Sequence, residues 1–225
     1  MLDLDWPGSD GLVATLTPFP LMVAKGRLAA EDRDALQADF PRYQGAGFFP
    51  YRDEDCGPAI RRLVAELAAP AFAQAVGREL QIPGLDQHPV LITLCRSLNP
   101  RHGTIHADSA SKIATALLYF ASDWPHGSAG SLRLLARKDD IDAVAAPEVA
   151  PVYGTLVAFR RTDSSWHGHL PFEGERPVIQ VAWLTDAEAM RRKTRRGGWS
   201  RGLKKLLGPL DRLWGARRGS NARHE

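Results

Sequence analysis

Two short stretches of the chain hold side chains that could bind a metal ion. "RHGTIHADSASK" contains His106 and Asp108, and "SWHGHLPFEGER" contains His167 and His169. On an extended chain, residues i and i+2 point to the same side, so each pair could face one site. Two histidines and one carboxylate on one face of an octahedron form the arrangement of non-haem Fe(II) oxygenases. This geometry leaves open whether His167 or His169 completes such a set.

The residues that could bind the metal lie among short apolar runs that predict β-strands. From residue 89 onward the runs are "VLITLCRSL", "KIATALLYFA", "GSLRLLA", "TLVAFR" and "PVIQVAWL". Clusters of Pro, Gly, Asp and Ser separate them, as turns between strands do. Several short strands with no helix between them favour a β-sandwich or barrel.

The N-terminal part of the chain predicts one strand and three helical pieces. "PFPLMVAKGRL" is strand-like, and "AAEDRDALQADF" is an amphipathic helix with acidic residues in its first turns. "CGPAIRRLVAELAAPAF" predicts a second helix that breaks or kinks at Pro70, and "AFAQAVGREL" continues after it. We predict a strand and helical support over residues 1–88, a β core over 89–189 and a basic extension over 190–225.

The chain resembles a known family over most of residues 16–185. "HAD", "KIATALLYF", "GTLVAF" and "SWHGHLPFEGERPVIQVAW" are similar to pieces of the Fe(II)- and 2-oxoglutarate-dependent oxygenases, particularly their prolyl-hydroxylase-like branch. The resemblance implies a mainly β fold with N-terminal helices. Its core would be a double-stranded β-helix, which is a jelly roll or cupin-like barrel.

The resemblance also implies which residue has which role in the site. Fe(II) would be held by His106, Asp108 and His167, and a basic residue on the next strand would hold the far carboxylate of 2-oxoglutarate. Arg176 follows His167 by nine residues, which is the usual interval in this family. This interval favours His167 over His169 as the iron ligand and leaves His169 as a neighbour of the site. A guanidinium suits the second role because it is always charged and binds carboxylates bidentately.

The same resemblance gives a pocket for the cosubstrate. Tyr119 lies where the prolyl-hydroxylase-like branch carries a tyrosine that bonds the 2-oxoglutarate carboxylate. Period-two alternation places Thr115 and Leu117 on the face of Tyr119, and Val178 on the face of Arg176. The implied activity is hydroxylation of a substrate with O2 as a second cosubstrate and with succinate and CO2 as coproducts. We therefore predict a 2-oxoglutarate-dependent non-haem iron dioxygenase.

Three other basic residues lie near these motifs. Arg96 and Arg133 each interrupt an apolar strand. Either could meet a substrate or cosubstrate carboxylate, or simply face solvent, and the sequence does not decide between these interpretations. We interpret Lys112 as a solvated residue.

The formal charge of +3 conceals a basic C-terminal end. Residues 190–225 hold 12 basic and 2 acidic residues, whereas residues 1–189 hold 17 and 24. An apolar stripe with tryptophans and lysines over 199–218 is typical of helices that bind anionic membranes, although Pro209 interrupts it. A helix docked on the barrel or on a partner protein is the alternative. Because the body is acidic and lacks a nucleic-acid module, a nucleic-acid partner is not expected.

The sequence also predicts a compartment and leaves two competing functions open. Two cysteines without metal-type spacing and an acidic N-terminus predict a cytoplasmic protein, peripheral at the inner membrane face if the basic end binds lipid. The tail raises the hypothesis of a glycan- or lipid-linked substrate. The rival functions are a cupin-like metalloenzyme that does not use 2-oxoglutarate and a catalytically silent barrel that acts as a membrane-associated binding protein.

Overall fold

The computed structural model describes residues 1–4 and 11–195. These residues form nine strands, three α-helices and a further helical stretch over 187–195, besides short 3₁₀ turns. The strands are β1 (Leu12–Thr15), β2 (Leu21–Ala24), β3 (Phe49–Pro50), β4 (Val90–Leu98), β5 (Lys112–Tyr119), β6 (Arg133–Leu135), β7 (Leu156–Arg160), β8 (Trp166–Gly168) and β9 (Gly174–Leu184). The helices are α1 (Arg33–Asp39), α2 (Pro58–Ala68) and α3 (Pro70–Glu79).

Seven of the strands form one antiparallel sheet. Its strand order is β1-β2-β7-β5-β9-β4-β3, so the N-terminal strands β1 to β3 lie at both edges. Strands β6 and β8 form a second, two-stranded antiparallel sheet. The two sheets together give the double-stranded β-helix that the family resemblance implied, in line with the β-sandwich or barrel that the apolar runs predicted.

The large sheet buries both of its faces because its central strands are apolar on both sides. On β5, Ala114, Ala116 and Leu118 belong to the core on the helical side. Leu117 and Tyr119 belong to a second core, which also contains Leu134 of β6. This second core is the interior of the barrel. The predicted alternation on β5 is therefore confirmed.

Helices α2 and α3 cover the outer face of the sheet. The buried side chains Ile60, Leu63 and Leu67 recur along α2 at helical spacing, as the sequence pattern predicts. In α3, Phe72 stacks on Trp183 of β9 with ring centroids 5.7 Å apart. Pro70 begins α3 directly after α2 ends, because its ring fits the first helical turn but not a helix interior.

The sequence missed three short strands, β1, β3 and β8. Each has four residues or fewer, which is too short for a periodic pattern. The predicted boundaries at residues 88 and 189 stay a prediction. The predicted basic amphipathic segment over 199–218 lies outside the described residues. Within the part of the chain that the structure covers, no helix has the length and hydrophobicity needed to cross a bilayer.

Candidate active site

His106 and His167 are brought together by backbone pairing. His167 lies at the centre of β8, and His106 lies in the loop after β4. Each of the two donates its backbone N–H to the other's carbonyl oxygen, at 3.0 Å from His106 and 2.9 Å from His167. This antiparallel bridge holds the two imidazole rings with their centroids 4.4 Å apart.

Both imidazoles are oriented by a carbonyl two residues earlier in the chain. His106 Nδ1 lies 2.8 Å from the Thr104 oxygen, and His167 Nδ1 lies 3.0 Å from the Ser165 oxygen. A carbonyl only accepts hydrogen bonds, so each Nδ1 must carry the proton. The Nε2 atoms are then unprotonated, as metal ligands must be, and this orientation is the usual one for metal-binding histidines.

Asp108 supplies the carboxylate, and two side chains of β5 hold it. Lys112 Nζ donates to Oδ1 and the Thr115 hydroxyl donates to Oδ2, each at 2.6 Å. Burial on its own raises the pKa of Asp108. The positive charge of Lys112 and the hydrogen bonds from Lys112 and Thr115 outweigh that effect, and so the pKa lies below its usual value. Asp108 is therefore ionised at neutral pH.

The three residues form a set that suits Fe(II). One ligand atom from each of His106, Asp108 and His167 lies within 4.8 Å of the others. Burial lowers the pKa of His167 to about 4, although the Asp108 charge opposes the shift, so this imidazole is neutral at pH 7. Two imidazoles and one carboxylate match the ligand types that non-haem iron accepts. The three residues that the sequence predicted as ligands therefore lie close enough together to bind one metal ion.

A second polar group lies deeper in the barrel interior. Arg176 of β9 is only 4% exposed. Its Nε donates to the Gly130 oxygen at 2.6 Å, and its Nη2 donates to the Tyr119 hydroxyl at 3.2 Å. Burial raises the pKa of Tyr119, and the nearby Arg176 charge opposes this shift. Among residues 1–4 and 11–195, no carboxylate pairs with Arg176, so its charge suits an anionic ligand that enters the barrel.

The other predicted pocket residues lie on the same interior faces. Val178 pairs with Tyr119 across β5 and β9 and is fully buried. Leu117 belongs to the same apolar cluster as Tyr119 and Val178. Thr115 shares their face as predicted, but its hydroxyl is bonded to Asp108.

His169 lies beside the site without joining the three ligands. Its Nδ1 is 2.8 Å from the Leu170 oxygen, and burial lowers the pKa of this imidazole to about 4. The ring lies so close to Gly103 that a Cβ at this glycine would fall 2.1 Å from His169 Cε1. The set with metal-binding geometry contains His167 and not His169, in agreement with the interval to Arg176.

Comparison with known proteins agrees with this geometry. Residues 93–185 match the model of the 2OG-Fe(II) oxygenase superfamily. They form a 2OG-Fe(II) oxygenase domain. Members of this family use Fe(II), 2-oxoglutarate and O2, and the chain is a 2-oxoglutarate-dependent dioxygenase. No curated protein sequence matches the dioxygenase significantly.

One solved structure shares the fold of the dioxygenase, and two others are less similar. A prolyl-4-hydroxylase from Pseudomonas putida superposes with a TM-score of 0.55 at 20% identity, covering 74% of this chain and 93% of that one. A prolyl hydroxylase from Trichoplax adhaerens, solved with a peptide of hypoxia inducible factor, gives 0.49 at 13% identity, covering 76% and 86%. A viral collagen prolyl hydroxylase from Paramecium Bursaria Chlorella virus-1 gives 0.48 at 12%, covering 73% and 96%. The first of these supports the fold.

Three basic residues differ in their environments. Arg96 faces outward and makes two hydrogen bonds to Glu175, at 3.0 and 3.1 Å. Arg133 is buried, but it pairs with Asp142 and Glu148, so neither arginine is available to a ligand in the way that Arg176 is. The interpretation of Lys112 as solvated is wrong. Its side chain is 10% exposed because a backbone hydrogen bond from Lys112 to Ser109 closes a turn that brings it onto Asp108.

Proposed function

We propose that His106, Asp108 and His167 hold the catalytic Fe(II) and that Arg176 and Tyr119 bind the far carboxylate of 2-oxoglutarate. The observation that carries this proposal is the convergence of one ligand atom from each of the three residues within 4.8 Å. Both histidines already present Nε2, and the carboxylate is ionised. In this proposal Thr115 supports Asp108, and Leu117 and Val178 form the apolar wall of the cosubstrate pocket.

The residues around the iron would bind and orient the reactants. When bound, Fe(II) supplies the O2-dependent oxidation chemistry, and 2-oxoglutarate supplies the electrons as it is converted to succinate and CO2. The chain fixes the two imidazoles through the Thr104 and Ser165 carbonyls. Arg176 fixes the opposite end of the cosubstrate, and the buried apolar side chains around it exclude water from the anionic contact.

Succinate formation tests the assignment of these residues. The protein is loaded with Fe(II) without oxygen, mixed with 2-oxoglutarate and then exposed to O2. We expect slow succinate formation without a prime substrate in the wild type, and none in H106A. R176A should recover activity only at much higher 2-oxoglutarate concentrations.

His88→Ala and Arg62→Ala are the matched controls for this experiment. Both residues lie outside the site, and Arg62 is exposed on α2. The two control variants should form succinate as the wild type does. Wild-type protein that forms no succinate, or H106A that forms as much as the wild type, would contradict the proposal.

For the substrate and the location, we propose a glycan- or lipid-linked substrate at the inner face of a cytoplasmic membrane. The support is the basic, Trp- and Leu-rich composition of residues 199–218. Flotation with anionic and neutral vesicles compares the full chain with a version that ends at residue 190. Binding of the full chain to anionic vesicles alone supports the proposal, and equal behaviour of both versions rejects it.

A further inference from the structure

Lys112 is a buried cation whose partner is a proposed iron ligand. The side chains of Lys112 and Asp108 are 10% and 8% exposed, and Nζ lies 2.6 Å from Oδ1. Among the described residues, Asp108 is the single carboxylate bonded to Lys112. A buried charge is costly unless it is paired, so this contact stabilises both groups.

Binding of a divalent cation changes the balance of charge around Lys112. The Asp108 carboxylate would then compensate the metal, and the ammonium group would lie next to a like charge. Lys112 can keep its bond to Asp108 Oδ1 and still has two further N–H donors, and no second carboxylate among the described residues bonds to it. An anionic group of a bound molecule is the partner that these donors suit.

The far carboxylate of 2-oxoglutarate is not that anion, and its near carboxylate would be engaged by Fe(II). Lys112 and Tyr119 lie at opposite ends of β5 and are separated by about 23 Å along the strand, since a strand rises roughly 3.3 Å per residue. Asp108 touches Lys112 and Thr115, at the end of β5 away from Tyr119 and Arg176. A 2-oxoglutarate molecule that extends from the metal to Arg176 therefore extends away from Lys112.

Other cations surround the same loop. Arg161 donates through Nε to the Asp108 carbonyl oxygen at 3.1 Å and pairs with the exposed Asp163. Lys193 Nζ donates to the Ser109 hydroxyl at 3.0 Å. Three cationic side chains therefore contact the loop of residues 108–112, and Asp108 and Asp163 offset the charges of two of them.

We propose that Lys112 selects a prime substrate with an anionic group, a carboxylate or a phosphate, placed beside the iron on the side away from Arg176. This inference rests on the proposed function, since it requires a metal at Asp108. Lys112 bonds to Asp108 Oδ1 and would also bond to the substrate anion. The ammonium group thereby positions the substrate relative to the metal.

Paramagnetic relaxation by Mn(II) measures directly whether an anion binds close to the metal. Mn(II)-loaded protein saturated with 2-oxoglutarate is titrated with inorganic phosphate or ¹³C-acetate, and the relaxation of ³¹P or ¹³C reports anions close to the metal. We expect enhanced relaxation in the wild type and a decrease of roughly tenfold in Lys112→Met, as the loss of a charge-assisted hydrogen bond implies. Lys112→Arg should keep most of the effect. The anion that reaches half of its maximal effect at the lower concentration is the preferred one.

Lys138→Met is the control, because Lys138 is exposed and distant in sequence from the loop. Equal relaxation in wild type and Lys112→Met would overturn the inference. So would a Lys112→Met variant whose main defect is weaker binding of 2-oxoglutarate, since Lys112 would then serve the cosubstrate. Failure of the wild type to bind Mn(II), or equal binding in H106A, would instead contradict the proposed iron site.

Discussion

At the scale of single residues, the site is defined by the groups that hold its ligands. Each histidine is oriented by a backbone carbonyl, and Asp108 is held by an ammonium group and a hydroxyl. These contacts hold the three ligand side chains in fixed orientations. Preorganisation of this kind favours binding because little side-chain entropy is lost when the metal enters.

Thr115→Val should weaken metal binding while leaving the fold intact. The substitution keeps the shape of the side chain but removes the hydroxyl that donates to Asp108 Oδ2. Loss of a contact to a metal ligand typically costs about 10- to 100-fold in affinity. Competition between the protein and a chromogenic chelator for Co(II) measures this change. The control is Thr93→Val, on β4, which removes a buried hydroxyl bonded to Gln180 and should bind Co(II) as the wild type does. An unchanged Co(II) affinity in Thr115→Val would contradict the role of Thr115.

Gly103→Ala should destabilise the protein more than Gly127→Ala does. Both glycines have positive φ, +83° and +56°, so alanine costs about 1 kcal/mol at either position. A Cβ at Gly103 also collides with the His169 ring, whereas nothing lies within 4 Å of a Cβ at Gly127. Such a collision costs about 1–3 kcal/mol more. Urea unfolding of the two variants gives the difference directly, and equal free energies of unfolding would show that His169 moves away freely.

At the scale of elements, the central strands of the large sheet connect the helical core to the site. Strand β9 places Trp183 against Phe72 of α3, and it carries Arg176 and Val178 in the barrel interior. Strand β5 likewise places Ala116 and Leu118 outward, and Leu117 and Tyr119 inward. Because alternate residues of a strand face opposite sides, the packing of one face against α2 and α3 fixes the positions of the pocket residues on the other face.

Phe72→Ala should reduce the stability of the whole domain without a specific effect on the site. A large cavity between α3 and Trp183 costs about 3–5 kcal/mol. Thermal unfolding should show a lower midpoint for Phe72→Ala, while its affinity for Co(II) at low temperature stays close to that of the wild type. Phe48→Ala, at a residue that is 37% exposed, is the control and should change the midpoint little. A Phe72→Ala variant as stable as the wild type would contradict this packing.

The sequence predicted the parts of the site that depend on alternation and spacing. The faces of β5 and β9 follow from a period of two, and the family resemblance, through its usual interval from the second histidine to the basic residue, favoured His167 over His169. The contacts of Arg176 with the Gly130 carbonyl and of His106 with the Thr104 carbonyl could not be predicted, because every residue carries a carbonyl. Lys112 was misinterpreted because its burial depends on the turn at Ser109, which residue types alone do not specify.

At the scale of the whole molecule, the site links the two sheets. His167 belongs to the small sheet, while Thr115 and Arg176 belong to the large one. A metal bound by His106, Asp108 and His167 would thus connect the small sheet to β5, through the contact of Asp108 with Thr115. Metal binding should therefore stabilise the folded domain as a unit.

Addition of Mn(II) should raise the free energy of unfolding. A ligand that binds only the folded state at 100 times its Kd contributes about 2.7 kcal/mol. Urea titrations with Mn(II) and with EDTA give this difference for the wild type. Because H106A lacks one ligand, its two curves should nearly coincide. If the wild-type curves coincided as well, the three residues would not form a metal site.

The central claim is that the His106–Asp108–His167 set and Arg176 together bind Fe(II) and 2-oxoglutarate. Anaerobic titration of the Fe(II)-loaded protein with 2-oxoglutarate tests it most directly, because chelation of Fe(II) by the 2-keto acid gives a visible absorption band. We expect the band in the wild type, no band in H106A, and in R176A a 2-oxoglutarate Kd roughly thirtyfold higher or more, as the loss of a buried charged partner implies. A wild type without the band, or an R176A titration that matches the wild type, would contradict the claim.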